Sequence, residues 1–326
     1  MKILHIASFD GNIGDRANHS GFYNNLEKYI TPKPKISAIE IRDFYNSRNL
    51  RKFDLEFASL ANKFDLLVIG GGGFWEPRWE NSLTGTTIDI SEEVLDTINV
   101  PILFNGIGCN LAKGFSEIAL AKFNKFLKKI TSNEKCFVTV RNDGSHSVLS
   151  RLYNGDFDSS ILVVPDGGYS ISPLRRKYNE LRRKNKHIAI CLGGDMPEVR
   201  FADGNNKISR SEFVDKFSYI LNSLLHREQK CRIVFVPHIY HDLPMIYEVL
   251  AMLNDKIVRE RVTVAPLLNG TTTDGIDVLG LYKQCDLVLG MRHHANICAI
   301  ALNTPTIGIV NYSSHEADFH ELGLSK

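Results

Sequence analysis

The chain has 326 residues, 43% hydrophobic and 23% charged, and its 39 Lys and Arg against 37 Asp and Glu leave a formal net charge of +2. That length exceeds what one core usually holds, so two domains are expected, and the small net charge makes no case for a nucleic-acid partner. No apolar run is long enough to span a membrane, and the start, MKILHIASFDGN, has one lysine and too short an apolar segment for a signal peptide. The six cysteines (Cys109, Cys136, Cys191, Cys231, Cys285 and Cys298) are scattered, with no CxxC or Cys/His ligand spacing. Reduced thiols in a cytoplasmic protein without structural zinc are the expectation.

In chain order, Lys2–Ala7 reads as a buried strand, followed by the loop Ser8–Asp15 and a helix over 17–29. Leu66–Ile69 is a second strand that runs into Gly70-Gly71-Gly72-Gly73, and Ile102–Asn105 a third that ends at Gly106-Ile107-Gly108. Apolar residues at helical spacing predict a helix over 115–130; Phe137–Val140 is a strand ending at Arg141, and Leu162–Val164 one ending at Pro165-Asp166. The alternation restarts after 187. Strands are predicted at Ile188–Leu192, Arg232–Val236, Val262–Ala265, Asp286–Leu289 and Thr306–Val310, with helices over 211–226, 244–253, 275–284 and 295–302. Such alternation implies parallel sheets covered on both faces. The expected fold is α/β, two sequential Rossmann-like domains (GT-B-like) with the active site in the interdomain cleft. The boundaries drawn are 1–172, a basic linker or helix over 173–186, and 187–326.

Met291-Arg292-His293-His294 stands where a strand gives way to a helix, with Pro305 beyond the helix end. In open α/β sheets ligands bind at the carboxyl ends of strands, and a helix N-terminus favours anions. An arginine there offers a fork for carboxylate or phosphate, and a histidine offers a group that titrates near neutrality. The glycine-rich turns lack the form of a dinucleotide fingerprint, and Gly11-Asn12-Ile13-Gly14-Asp15 lacks a P-loop lysine.

Several of these segments together resemble the polysaccharide pyruvyl transferase family. The family's GNxGD-type loop is matched by Gly11–Asp15, its glycine run by Gly70–Gly73, and its VRD-x-x-S-like segment by Val140-Arg141-Asn142-Asp143-Gly144-Ser145. Pro165-Asp166 matches a Pro-Asp strand end, and Pro237-His238 with Asp242 a PH-x-x-x-D segment. The most specific block, R-x-H-A-x-x-x-A-x-x-x-x-x-P, is matched by Arg292, His294, Ala295, Ala299 and Pro305. Two departures stand out. Where relatives often carry a basic residue after the last strand's tyrosine, Tyr312 is followed by Ser313-Ser314-His315, and the sequence stops at Lys326 where relatives usually continue with a closing helix.

The resemblance implies transfer of pyruvyl from phosphoenolpyruvate to a sugar of a cell-envelope polysaccharide or lipid-linked glycan precursor. The product is a ketal and phosphate is released; phosphoenolpyruvate is a co-substrate and no cofactor or metal is needed. Arg141 and Arg292 are the expected donor-binding cations, with Ser145 and His315 beside them. His294 is the expected general acid, and Asp15, His238 and Asp242 are open alternatives for the base. Asn12, Gly14, Gly71 and Gly72 form the expected loop surface toward the acceptor. Trp75 and Trp79 either stack on a pyranose or plug the core. A nucleotide-sugar glycosyltransferase or epimerase is the alternative enzyme, and a non-catalytic sugar-binding protein a third reading. Arg175-Arg176-Lys177 and Arg182-Arg183-Lys184 lie seven apart, so a helix there would stack the triplets as a weak contact for anionic headgroups, or simply as a solvated face.

Overall fold

The computed structural model describes residues 1–173, 176–182, 184–201, 208–267, 276–310 and 320; His315, Arg175 and Arg183 lie outside them. The chain separates into two compact units, one comprising Met1–Phe9 and Asn25–Asp166, the other Asp10–Asn24 and, among the described residues, 167–310. Residues 10–24 belong with the second unit for a packing reason. Ile13 and Ala17 are buried there among Ile171, Val234, Val288 and Ala295. Gly21 also passes so close to Gly167 that a Cβ would lie 1.7 Å from its carbonyl oxygen.

In the first unit, strands β1 (Lys2–Ala7), β2 (Lys35–Glu40), β3 (Leu66–Gly70), β4 (Ile102–Ile107), β5 (Cys136–Arg141) and β6 (Leu162–Val164) form one sheet in the order β2-β1-β3-β4-β5-β6. In the second, β7 (Lys186–Cys191), β8 (Cys231–Phe235), β9 (Val262–Val264), β10 (Leu287–Gly290) and β11 (Thr306–Gly308) are ordered β11-β10-β7-β8-β9. Every pairing in both is parallel. The expected class, two parallel α/β sheets, is what forms. Strand order reverses between β1 and β3 in the first sheet and between β7 and β10 in the second, and such reversals open a crevice at the strands' carboxyl ends.

The period-two alternation of a strand sorts side chains to opposite faces. Ala189 and Cys191 of β7 join one apolar cluster with Val234, Val288 and Ala295, whereas Ile190 joins Phe235, Val214, Phe217 and Met245 on the other. Each such aliphatic or aromatic side chain removed from water contributes about 1.5–3 kcal/mol.

Several predicted elements shift. The helix predicted over 17–29 spans Ile13–Tyr29, because the Asn12 side chain accepts from the Gly14 amide (2.9 Å) and caps it early. The helix predicted over 115–130 spans Glu117–Thr131; Ser116 caps it, and Phe115 and Ile118 point to solvent. The one predicted over 275–284 is broken into Ile276–Leu279 and a 3-10 turn at Tyr282–Gln284, with Gly280 between them. β2 and the helices Leu55–Ala61, Glu92–Thr97, Ser145–Leu152 and Asp255–Arg261 were not anticipated, being too short for a clear period.

The segment 173–186 contains no helix among its described residues. Tyr178 turns inward, is buried, and donates its hydroxyl proton to the Asp277 carbonyl. Arg176 stacks 4.9 Å from the Tyr178 ring centre and lies 3.9 Å from Asp277, while Lys184 takes a left-handed conformation (φ 72°). Residues 176–182 and 184–186 are not helical, so the described part of the segment lends no support to a helix that stacks the two basic triplets. No helix among the described residues is long and apolar enough to cross a membrane.

Candidate active site

The second unit's site begins at the carboxyl end of β10. Gly290 leads through Met291 to Arg292, the N-cap residue of the helix His293–Ala301. One side chain holds this turn together. Asn296 donates to the carbonyls of Gly290 (3.1 Å) and Arg292 (3.3 Å) and accepts from the Thr306 hydroxyl (2.9 Å), tying β10, its helix and β11. A Cβ on Gly290 would lie 2.4 Å from the Asn296 carbonyl oxygen, so this tie requires the glycine.

Arg292 is gripped from two sides. Its Nε donates to both oxygens of Asp242 (3.1 and 2.9 Å), and its Nη2 donates to Asp242 Oδ1 and to Asp195 Oδ1 (2.7 Å). Asp242 opens the helix Asp242–Met252, is fully buried, and also accepts from the amides of Gly194 (3.1 Å), His238 (2.9 Å) and Ile239 (3.1 Å). Burial works against the Arg292 charge, but Asp242 and then Asp195 overcome it and raise the guanidinium's pKa further. The same Asp195 oxygen accepts from Arg200 Nε (3.0 Å) and Nη2 (2.8 Å). Burial opposes ionisation of Asp195, yet Arg292 and Arg200 together hold its pKa below the ordinary carboxylate value.

His238 and His294 lie on the same unit. His294, in the first turn of its helix, packs on the start of Ile13–Tyr29: a Cβ on Gly14 would sit 2.7 Å from its Nδ1. The Ile13 amide donates to the His238 carbonyl (3.2 Å), so the Gly11–Asp15 loop is fastened between the two histidines. Asp15 is half-buried in that helix's first turn. The His238 ring is buried and shares a 2.8 Å hydrogen bond with the buried Tyr282 hydroxyl, while its Nδ1 meets no partner. Burial, reinforced by Arg292, pushes its pKa down to about 3.

These facts correct two expectations about the base. His238 is a neutral, enclosed ring, and Asp242 is saturated by Arg292 and three amides; neither is presented to a substrate hydroxyl. Asp195, Arg200 and Asn296 escaped sequence reasoning, although an asparagine inside the apolar helix HHANICAIA is a signal that a buried polar group has a partner.

In the first unit, Arg141 ends β5 with its side chain 15% exposed. It donates to Asp143 and lies 3.6 Å from the buried Asp166 carboxylate. Gly108 admits it, since a Cβ there would be 2.9 Å from Arg141 Nη2. Ser145 is fully buried; its hydroxyl donates to Asp143 and accepts from the Cys109 amide (2.7 Å). It fastens the turn after β5, which corrects its expected place as a donor ligand. Gly71 takes φ +85° with its amide on the Asn105 carbonyl (2.7 Å), and the Gly72 carbonyl accepts from Gly108 (2.9 Å). The glycine run therefore pairs with the end of β4 and the turn after it, and of its residues Gly73 is the exposed one. Trp75 is fully buried, its ring 5.4 Å from Phe123 and 6.5 Å from Phe104. It plugs the core and has no face for a sugar; Trp79 stays 40% exposed with Arg78 over its ring.

A search of curated proteins finds no match. Solved structures share the fold at low sequence identity. MnaA of S. aureus, solved with UDP, superposes with a TM-score of 0.56 at 11% identity, covering 100% of this chain and 83% of that one. UDP-GlcNAc 2-epimerase from Neisseria meningitidis bound to UDP-GlcNAc gives 0.55 at 13%, covering 96% and 84%, and the Methanocaldococcus jannaschii enzyme in complex with UDP-GlcNAc and UDP 0.51 at 12%, covering 100% and 88%. These neighbours place the two sheets in the GT-B-like class. The family model for polysaccharide pyruvyl transferase matches residues 12–314, from the Asn12 cap through the Arg292–His294 turn, and the chain belongs to the polysaccharide pyruvyl transferase family.

Proposed function

We propose that the protein transfers pyruvyl from phosphoenolpyruvate to a sugar of a polysaccharide or glycan precursor in the cytoplasm, forming a ketal and releasing phosphate. The observation that carries this reading is the guanidinium of Arg292, fixed by Asp242 at the N-cap of the helix that bears His294. A permanently charged fork beside a helix N-terminus suits a phosphate or carboxylate, and an imidazole in the next turn suits proton delivery. His294 protonates the methylene carbon, which leaves an oxocarbenium-like centre at C2. One sugar hydroxyl adds there and gives up its proton. The C2–O bond to phosphate then breaks and leaves a second oxocarbenium-like centre. A second hydroxyl adds to it, its proton going to the departing phosphate, and closes the ketal. With His238 and Asp242 engaged, Asp15 is assigned the base. Six cysteines without disulfides support the cytoplasmic placement.

The test is calorimetry and turnover together. Arg292→Ala should weaken phosphoenolpyruvate binding by on the order of 2 kcal/mol, the scale of a lost charge-assisted contact. Arg141→Ala on the same readout tests the first unit's arginine. His294→Gln should keep donor affinity while losing phosphate release and solvent deuterium incorporation into the ketal methyl group. Wild-type protein that is stabilised by UDP, GDP or CDP but not by phosphoenolpyruvate would overturn the assignment in favour of a nucleotide-sugar enzyme.

A further inference from the structure

Arg200 is buried with 2% of its side chain exposed, and Arg292 with 11%. Both converge on one oxygen, Asp195 Oδ1, at 2.8 Å from Arg200 Nη2 and 2.7 Å from Arg292 Nη2. The two partners of that oxygen are held independently of it at one end. Arg292 is fixed through Nε by both oxygens of Asp242, so its fork keeps its aim without Asp195. Arg200 Nε is also held by the Asp195 backbone carbonyl (2.9 Å), and its guanidinium lies over Gly193, where a Cβ would come within 2.8 Å of Cζ.

Asp195 itself is the loosest member, its side chain 22% exposed against 0% for Asp242. It sits on the turn between β7 and the short helix Pro197–Arg200, after Gly193 and Gly194 and before Met196, which is left-handed (φ 49°). β7 and β10 are neighbours at the point where strand order reverses, the place where open α/β sheets bind ligands. Two buried guanidinium groups require an anion between them, because an uncompensated buried charge is costly. A carboxylate reachable from solvent is the member of this quartet that a ligand oxyanion can replace without unmaking the rest.

We infer that Arg200 is a second donor-binding arginine, and that Asp195 holds the anion position between Arg200 and Arg292 until a phosphate or carboxylate oxygen of the ligand takes its place. The inference names the donor-contacting groups of the site proposed above and rests on that reading for the identity of the donor. Its geometry concerns any oxyanion. Asp195 is then a competitor as well as a counterion: it keeps the empty cradle charge-balanced and lowers apparent affinity for an incoming anion.

The experiment is titration of the full chain with inorganic phosphate, phosphoenolpyruvate and UDP, in wild type, Asp195→Asn, Asp195→Ser, Asp195→Glu, Arg200→Gln and the double variant Asp195→Asn/Arg200→Gln. Asp195→Asn should bind phosphate about tenfold more tightly, the scale of removing one charged competitor. Asp195→Glu, which keeps the charge, should stay near wild type. Arg200→Gln should lose about tenfold, and the double variant should lose the gain of the single one. A folded Asp195→Asn or Asp195→Ser that binds phosphate no better than wild type would overturn the cradle, as would an Arg200→Gln of unchanged affinity. A shift seen with phosphate and UDP but not with phosphoenolpyruvate would retain the cradle and reject the donor proposed for it. Phosphoenolpyruvate turnover with no affinity change in any variant would do the reverse.

Discussion

A neutral imidazole enclosed beside a guanidinium has a pH signature. His238 has its pKa pushed from 6.5 to about 3 in the folded chain, by burial first and Arg292 second. The unfolded chain binds a proton there between those values and the folded chain does not, so stability falls as pH drops below about 6.5 and the loss levels off near 3. The slope from this residue is at most about 1.4 kcal/mol per pH unit. Urea denaturation from pH 7 to pH 4 should show a steeper loss of stability in wild type than in His238→Gln, compared as slopes because the variant also forgoes the Tyr282 hydrogen bond. Equal slopes would mean the ring is already protonated in the fold. Gly14 and Gly290 show the complementary residue-scale rule: each is a glycine because a neighbour's side chain, His294 or Asn296, occupies the place of its Cβ.

At the scale of an element, the helix His293–Ala301 is set in place by Asn296 more than by its own propensity. Its hydrogen bonds reach β10, the N-cap residue and β11 at once. Removing the amide deletes these three hydrogen bonds, although the Gly290 and Arg292 carbonyls still accept from the Ile309 and Ala295 amides and the Thr306 hydroxyl still reaches the Val288 carbonyl. At about 0.5–1.5 kcal/mol net per bond, the loss is about 1–3 kcal/mol. Asn296→Ala should therefore lower the unfolding free energy by about that amount with an unchanged denaturant slope, and weaken donor binding through Arg292. A loss below about 0.5 kcal/mol would show that the turn holds without it. Ser145 serves in the same way in the first unit, joining the turn after β5 to Cys109 after β4.

Over the whole molecule, the six cysteines are distributed through both units and carry one readable prediction. Cys109, Cys191, Cys231, Cys285 and Cys298 are buried, and Cys136 is half-buried. Burial pushes the Cys285 thiol up to about 12 and Cys136 to about 11, and raises Cys109 and Cys191 further. The thiolate is the reactive form, so an aromatic disulfide reagent at pH 8 should modify native protein slowly and at Cys136 first. All six should react promptly in denaturant. Rapid modification of several thiols in the native state would mean that the cores open far more readily than their packing implies.

Element identity was largely legible in the sequence, and so was the family. All ten predicted strands, from Lys2–Ala7 to Thr306–Val310, occur within a few residues of their expected places, because short apolar runs report a buried parallel strand locally. β2 and the short helices were not legible, since half-exposed or brief segments carry no distinct period. The residues Gly14, Arg141, Arg292 and His294 could be singled out from their motifs and their positions at strand ends. What the tertiary structure alone decided is which of the candidates are engaged elsewhere. Arg292 meets Asp242 across 50 positions and Asp195 across 97, and no local pattern encodes a partner at that distance. The same long-range packing buried Trp75, assigned residues 10–24 to the second unit, and left the described residues 176–182 around Tyr178 without a helix. Local sequence specifies backbone periodicity and turns; burial and ion pairing depend on what the rest of the chain brings alongside.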